Sequence, residues 1–201
     1  YQGVKNLMPV TINGNGSITG LTQGGIDGTK VVTTAAQPAG SIVKVEQTLK
    51  KDTSVESVAL ATETGNLFSA SFTPTSSSNK ILVQFSGCIG IDNASSGTRI
   101  ALRLYKDGSL LTDSLGNSAD SRIRVTALGG TVGNEYPENL GFVYIDTAGT
   151  TNAITYSVKA YHGRSATCNI ELNQDGTDAN ANYTHRPAAS FTFMEIVAWV
   201  T

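Results

Sequence analysis

Histidine is nearly missing from this chain: two residues among 201, His162 and His185. The two cysteines, Cys88 and Cys168, lie far apart, with no C-x-x-C pair and no zinc-type spacing. They can bridge only if their strands are neighbours, and two buried thiols acting as small hydrophobes is the simpler reading. Charged residues make up only 15%, with a formal net charge of −2 and no run of lysine or arginine. Without a basic stripe there is nothing to neutralise phosphates, which excludes ordinary nucleic-acid binding. No apolar run approaches a membrane span. No window of ten or more residues has a convincing 3.6-residue period, which argues against helices. No signal peptide is visible, and a start at Tyr1 rather than methionine suggests an upstream segment.

Catalytic patterns are missing too. No G-x-S-x-G nucleophile elbow is present. The glycine runs NGNGSITG and QGGIDGTK contain neither G-x-G-x-x-G nor a Walker lysine. Asp92, Asp113, Asp120, Asp146, Asp175 and Asp178 all read as loop residues, where aspartate is ordinarily a turn former. Asp178, Asn180 and Asn182 follow the first spacings of a calcium loop, but Tyr183 stands where the turn glycine belongs and no bidentate acid follows. An unliganded polar loop is the default. We expect no enzyme activity, no cofactor and no bound metal.

What the chain has is glycine (21 residues), serine, threonine and short β-prone runs. So few charges solvate a lone particle poorly and suit a component of an assembly. Residues 1–40 are rich in Gly, Thr and Asn, with scattered apolar residues such as Ile12, Ile18, Leu21, Ile26 and Val31. They cannot bury enough surface to fold alone. This stretch reads as an extended arm, ordered by pairing with neighbouring copies or a larger structure, or as a linker.

From Ser41 to Thr201 strands follow at short intervals. IVKVEQT is the first. LFSASFT puts Phe68, Ala70 and Phe72 on one face; KILVQFSGCIGID, RIRVTAL, LGFVYID and SFTFMEIVAWV continue the series. RIALRLYKDGSLL is a hairpin with Asp107-Gly108 at its turn. NAITYSVKAYHGRSATCNIELN, 152–173, reads as a second hairpin whose open end is an exposed tip. The pattern predicts an all-β antiparallel sandwich or jelly roll over 41–201.

Two strands are apolar on both faces. In LGFVYI, Leu140, Phe142 and Tyr144 oppose Val143 and Ile145. In the last strand Phe191, Phe193, Val197 and Trp199 oppose Met194, Ile196, Ala198 and Val200. An outer strand of an isolated sandwich shows one wet face. Cover on the second face points to a neighbouring subunit, a flanking loop or the arm. Leu140, Phe142, Tyr144, Met194, Ile196, Ala198 and Val200 are the interface candidates.

SFTPTSSSNKILVQFSG, RLYKDGSLL, TYSVKAYHGRSATCNIELN and SFTFMEI, with MPVTINGNGSITGL near the start, together resemble the carboxy-terminal domain of a group of tailed-bacteriophage virion proteins. The strand series is also similar, more distantly, to the trimeric tumour-necrosis-factor-type jelly roll. The resemblance implies a homotrimer on the virion surface, assembled in the host cytoplasm, contacting other virion proteins of capsid or tail. It would serve as a tail-fibre tip for host attachment or as a capsid decoration, and it transfers no catalytic residue. YQGVKNL precedes the usual starting methionine of such proteins, which favours the fibre. Tyr161, His162, Arg164, Asp175, Asp178 and Asn180, at the expected tip, are the candidate contacts for a host surface glycan. A free carbohydrate-binding module is the alternative from another class.

Overall fold

The computed structural model describes residues 37–92, 99–130, 137–163, 167–174 and 178–198. The arm candidates Ile12, Ile18, Leu21, Ile26 and Val31 fall outside these, as do Val200, Arg164 and Asp175. One compact unit begins at Gln37. Period-two alternation drives its architecture, since each strand has one apolar face to bury. Among the described residues these strands are β1 (Ile42–Lys50), β2 (Ser54–Val58), β3 (Phe68–Phe72), β4 (Lys80–Asp92), β5 (Arg99–Lys106), β6 (Ser109–Leu110), β7 (Ala127–Gly130), β8 (Glu138–Thr147), β9 (Ile154–Tyr161), β10 (Cys168–Leu172) and β11 (Ala189–Ile196). The only helical element among them is a single 3-10 turn, Thr112–Ser114.

Two antiparallel sheets result. In the first, β1, β11, β4 and β8 lie side by side, and the far end of the long β4 pairs β10, which carries β2 on its outer side. In the second, β3 pairs β9 and β9 pairs β5, whose other edge is shared by β6 and β7. From β2 to β5 and again from β7 to β10 consecutive strands alternate between the sheets, as in a jelly roll. The β5–β6 turn is the expected one, with Asp107 at φ 48° and Gly108 at φ 78°.

The 152–173 segment is not a hairpin. β9 belongs to the second sheet and β10 to the first. Ile154, Tyr156, Val158 and Ala160 therefore contribute to the core from one side, and Cys168, Ile170 and Leu172 from the other. Alternation fixes which side chains face inward but does not name the strand that supplies the hydrogen bonds. The RIRVTAL strand is likewise displaced: residues 122–126 run without regular structure, and β7 starts at Ala127. β2, SVESV, is too polar to stand out by pattern and is held as an edge of β10.

Aromatic rings join the sheets. Phe191 and Phe193 project from β11 with centroids 5.6 Å apart. Phe191 meets Phe68 of the opposite sheet at 5.1 Å and Phe85 of its own at 5.3 Å. Phe193 meets Phe72 and Tyr156, each at 5.4 Å. Each such pair contributes about 0.5–1.5 kcal/mol beyond area burial. At one end Asp146 of β8 accepts bonds from the Tyr156 hydroxyl (2.8 Å) and Lys106 Nζ (2.7 Å), which ties the sheets together. Burial, then this carboxylate, drives the Tyr156 pKa far above the ordinary phenol range.

Glu195 continues the inward face of β11 and is fully buried. Its Oε1 accepts from Thr75 N–H (2.8 Å), Thr75 Oγ1 (2.8 Å), Ser76 N–H (3.2 Å) and Asn79 Nδ2 (2.8 Å). It thereby organises the whole turn between β3 and β4. Burial alone raises its pKa, but these donors outweigh burial and leave it below the ordinary carboxylate value. With a depressed folded pKa, the contribution is complete above the unfolded value of about 4.3 and is lost as pH falls through the folded one. Glu195→Ala strands the donors and should cost about 3 kcal/mol. Glu195→Gln should cost less and flatten the loss of stability below pH ~4.3. Urea unfolding at neutral and acid pH reads both; an unchanged midpoint for Glu195→Ala would refute this role.

Candidate functional site

Two surfaces of the sandwich carry unusual chemistry. The first is the outer face of β1, β11, β4 and β8. Register places Val45 opposite Met194, Met194 opposite Leu82, and Leu82 opposite Ile145, an apolar row across all four strands. Val45 is 57% exposed and Ile145 48%, while Met194 and Leu82 are half-buried. The row on one side is Ile42, Ile196, Lys80 and Thr147; on the other it is Gln47, Thr192, Gln84 and Val143. Lys80 is the one charged side chain in the three rows, and its Nζ donates to Thr147 Oγ1 at 2.7 Å. Beyond Val143, Gly141 lies so close to β4 that a Cβ would come within 2.7 Å of the Phe85 carbonyl oxygen. The resulting hollow, of about 310 Å³, is lined by Gln84, Ser86, Asn139 and Val143.

This face corrects part of the expected interface set. Leu140 and Phe142 point into the core, and Tyr144 packs against it. Their alternates, Val143 and Ile145, face outward beside Gln84 and Leu82, on the same side of the sheet as Met194 and Ile196. Both faces of β8 are apolar, as the sequence indicates, but the interior takes the larger residues because Phe142 stacks on Phe85 at 5.6 Å. Ala198 lies half-buried just past β11.

The second surface is a groove of about 560 Å³ on the outer side of the second sheet, lined by Arg99, Ala101, Arg122, Ile123, Val125, Leu128, Tyr161 and Gly163. Its floor follows from register. Ala101 of β5 sits between Leu128 of β7 and Tyr161 of β9, and its small side chain leaves the space between two large ones. The excursion from β6 to β7 supplies a wall. It is fastened by Arg103 Nε to the Arg124 carbonyl (2.9 Å), Arg124 Nε to the Gly116 carbonyl (2.7 Å) and Thr126 N–H to the Leu102 carbonyl (2.8 Å). Arg103 also ion-pairs with Glu63 and lies over the Tyr161 ring, 5.2 Å from its centroid. Tyr105 donates its hydroxyl to the same Glu63. Its pKa is pushed up to about 12, first by burial and then by that carboxylate.

Among the expected glycan contacts that fall within the described residues, Tyr161 alone lines this groove. His162 is buried, not a surface residue at a tip. It is 1% exposed, with Nε2 3.1 Å from the Val58 carbonyl. The chain crosses between sheets at this point, so the side chain is enclosed where a hairpin turn would have left it in water. Asp178 pairs with Arg186 at 2.6 Å, and Asn180 is exposed in the loop leading to β11. Sequence reasoning missed Arg99, Arg122, Ile123 and Leu128. The four arginines Arg99, Arg103, Arg122 and Arg124 are close in sequence, and that spacing was the available signal.

No protein-family model matches the chain, and no curated protein matches it. Among solved structures it is similar to the T=1 particles derived from infectious bursal virus, with 14% identity, 77% of this chain and 36% of that one covered, and a TM-score of 0.39. It is also similar to the Gx strain structure of infectious bursal disease virus, at 12% identity, 79% and 39% coverage and a TM-score of 0.40. The VP2 subviral particle of infectious bursal disease virus is similar at 11% identity, 77% and 38% coverage and a TM-score of 0.39. The chain thus spans less than two fifths of the length of the chains it matches.

Both cysteines are thiols. Cys168 is buried, and its pKa is pushed up to about 11 by burial and then by the charge of Asp92. It should therefore react with a disulfide reagent at pH 8 only as fast as the fold opens, and at full rate in denaturant. Cys168→Ser, which buries a hydroxyl, should cost about 1–3 kcal/mol. Labelling of Cys168 in the native protein at the denatured rate would show that the site is open.

Proposed function

We propose that this protein is a non-enzymatic structural component of a virion surface. In this reading it works as a homotrimer in a tail-fibre, receptor-binding position and contacts other virion proteins. The observation that carries the reading is the apolar row Val45–Met194–Leu82–Ile145 on the outer face of the first sheet. An outer sheet face in a solitary sandwich is normally polar. The residues here occupy all four strands, and their only charged neighbour in the flanking rows is a lysine. Identical copies can meet on such a face without like-charge repulsion, whereas a strongly charged partner would find little to pair with. Val143, 60% exposed beside the Gly141 hollow, supplies a projection and a recess of the kind self-complementary surfaces use.

β8 strengthens the case. It is ten residues long, and among the described residues it pairs only with β4. A long apolar edge strand without charged side chains facing out is a place where proteins associate. The number three and the virion setting come from the sequence resemblance. The fibre position is favoured over capsid decoration by the groove on the opposite sheet, which an assembly through the first sheet leaves open to solvent.

Light scattering on the purified chain should give three times the monomer mass. Val45→Glu with Ile145→Glu, exposed at the two ends of the row and on strands that do not touch, would bring like charges together between copies, at several kcal/mol, and should yield monomers with an unchanged far-ultraviolet spectrum. A monomeric parent at micromolar concentration would remove the basis of the reading.

A further inference from the structure

The groove on the second sheet points to a ligand of its own. Its floor and walls, Ala101, Val125, Ile123 and Leu128, are aliphatic, and Ile123 and Leu128 are 49% and 60% exposed. Isolated apolar residues are ordinary on a surface, but these line one concavity of about 560 Å³, within the size range of small-ligand sites. Two guanidinium groups, Arg99 and Arg122, stand among them, and no carboxylate is part of the lining. Among the described residues Arg122 has only a loose ion-pair partner, Asp120 at 3.6 Å, with both side chains in water. Arg99 forms no ion pair among the described residues. Arg103 is different: it is engaged by Glu63 and holds Tyr161 in place. A chain with a net charge of −2 therefore gathers four of its six arginines at one corner, around an apolar hollow.

We propose that this groove binds a carboxylated sugar bearing an apolar substituent, such as an N-acyl group. A guanidinium fork matches a carboxylate in two parallel bonds, which selects a planar anion. The ring of Tyr161, covered by Arg103 on one side, offers an aromatic surface to the C–H face of a sugar. The space over Ala101 between Leu128 and Tyr161 takes the acyl methyl. A nucleic acid would require a longer track of cations than two arginines. The groove is also open to water along its length, unlike the enclosed tunnel that a bare alkyl chain needs. The site goes beyond the assembly reading and stands without it.

The test uses the full chain and four soluble probes, followed by calorimetry and by ligand-observed NMR. The methyl glycoside of N-acetylneuraminic acid carries both features. N-acetylglucosamine has only the acyl group, glucuronate only the acid, and octanoate is an acid with an apolar tail but no sugar. Saturable binding is expected for the first, with each of the other three at least about tenfold weaker. Arg99→Ala and Arg122→Ala, both surface changes, should each weaken binding about tenfold, and Ala101→Leu should abolish it by filling the floor. Lys51→Ala, on the exposed turn after β1, should leave it unchanged. Equal binding of any control probe, or insensitivity to the arginine changes, would overturn the assignment, as would no binding at millimolar concentration. The light-scattering mass of the same samples reads assembly separately, so a failed groove and a failed trimer are distinguishable.

Discussion

Phe191 and Phe193 are the hinge of the whole structure. They sit two residues apart on one face of β11, stack on each other, and reach both Phe68 and Phe72 of the opposite sheet. Because β11 lies between β1 and β4, this pair fixes the spacing of the sandwich at its centre, and the remaining strands pack at positions dictated by it. Glu195, next on the same face, extends the role from packing to loop geometry. Its buried carboxylate can persist only because the turn between β3 and β4 turns its donors toward it. Hydrophobic burial and one carboxylate held through its Oε1 thus act along a single strand.

The inner commitment of β11 and β8 has an outer consequence. Once Phe142, Phe191 and Phe193 have taken the core side, period two sends Val143, Ile145, Met194 and Ile196 outward. The result is a face that water wets poorly and that carries almost no charge. On the second sheet the outward positions of β5 and β9 include Arg99, Ala101, Arg103, Lys159 and Tyr161, three of them cationic and the set uneven in size. One sheet therefore suits contact with a like surface, and the other suits recognition of an anion.

Much of this was legible in the residues. Alternation in LFSASFT and KILVQF identifies strands and their inward sides, and Asp107-Gly108 marks a hairpin because only a few residue types accept its positive φ. LGFVYI and SFTFMEIV are apolar on both faces in the sequence, and the structure buries one of those faces in the core. Two other features escaped. The pairing of 154–161 with 168–172 looked local, since a short polar link between two matched strands is what a hairpin presents. β2 escaped because SVESV has no apolar stripe to read.

Local pattern alone determined that the chain is all-β, where most strands lie and which residues face inward, because side-chain direction in a strand is set by backbone geometry within a few residues. Tertiary structure decided which strands share hydrogen bonds. That choice turns on contacts between segments separated by tens of residues, and no short-range property encodes it. It enclosed His162 at a sheet crossing, put Leu140 and Phe142 in the core, and set Leu128, Ala101 and Tyr161 side by side. The apolar row and the arginine-bearing groove exist only once four strands in one sheet and three in the other have come into register.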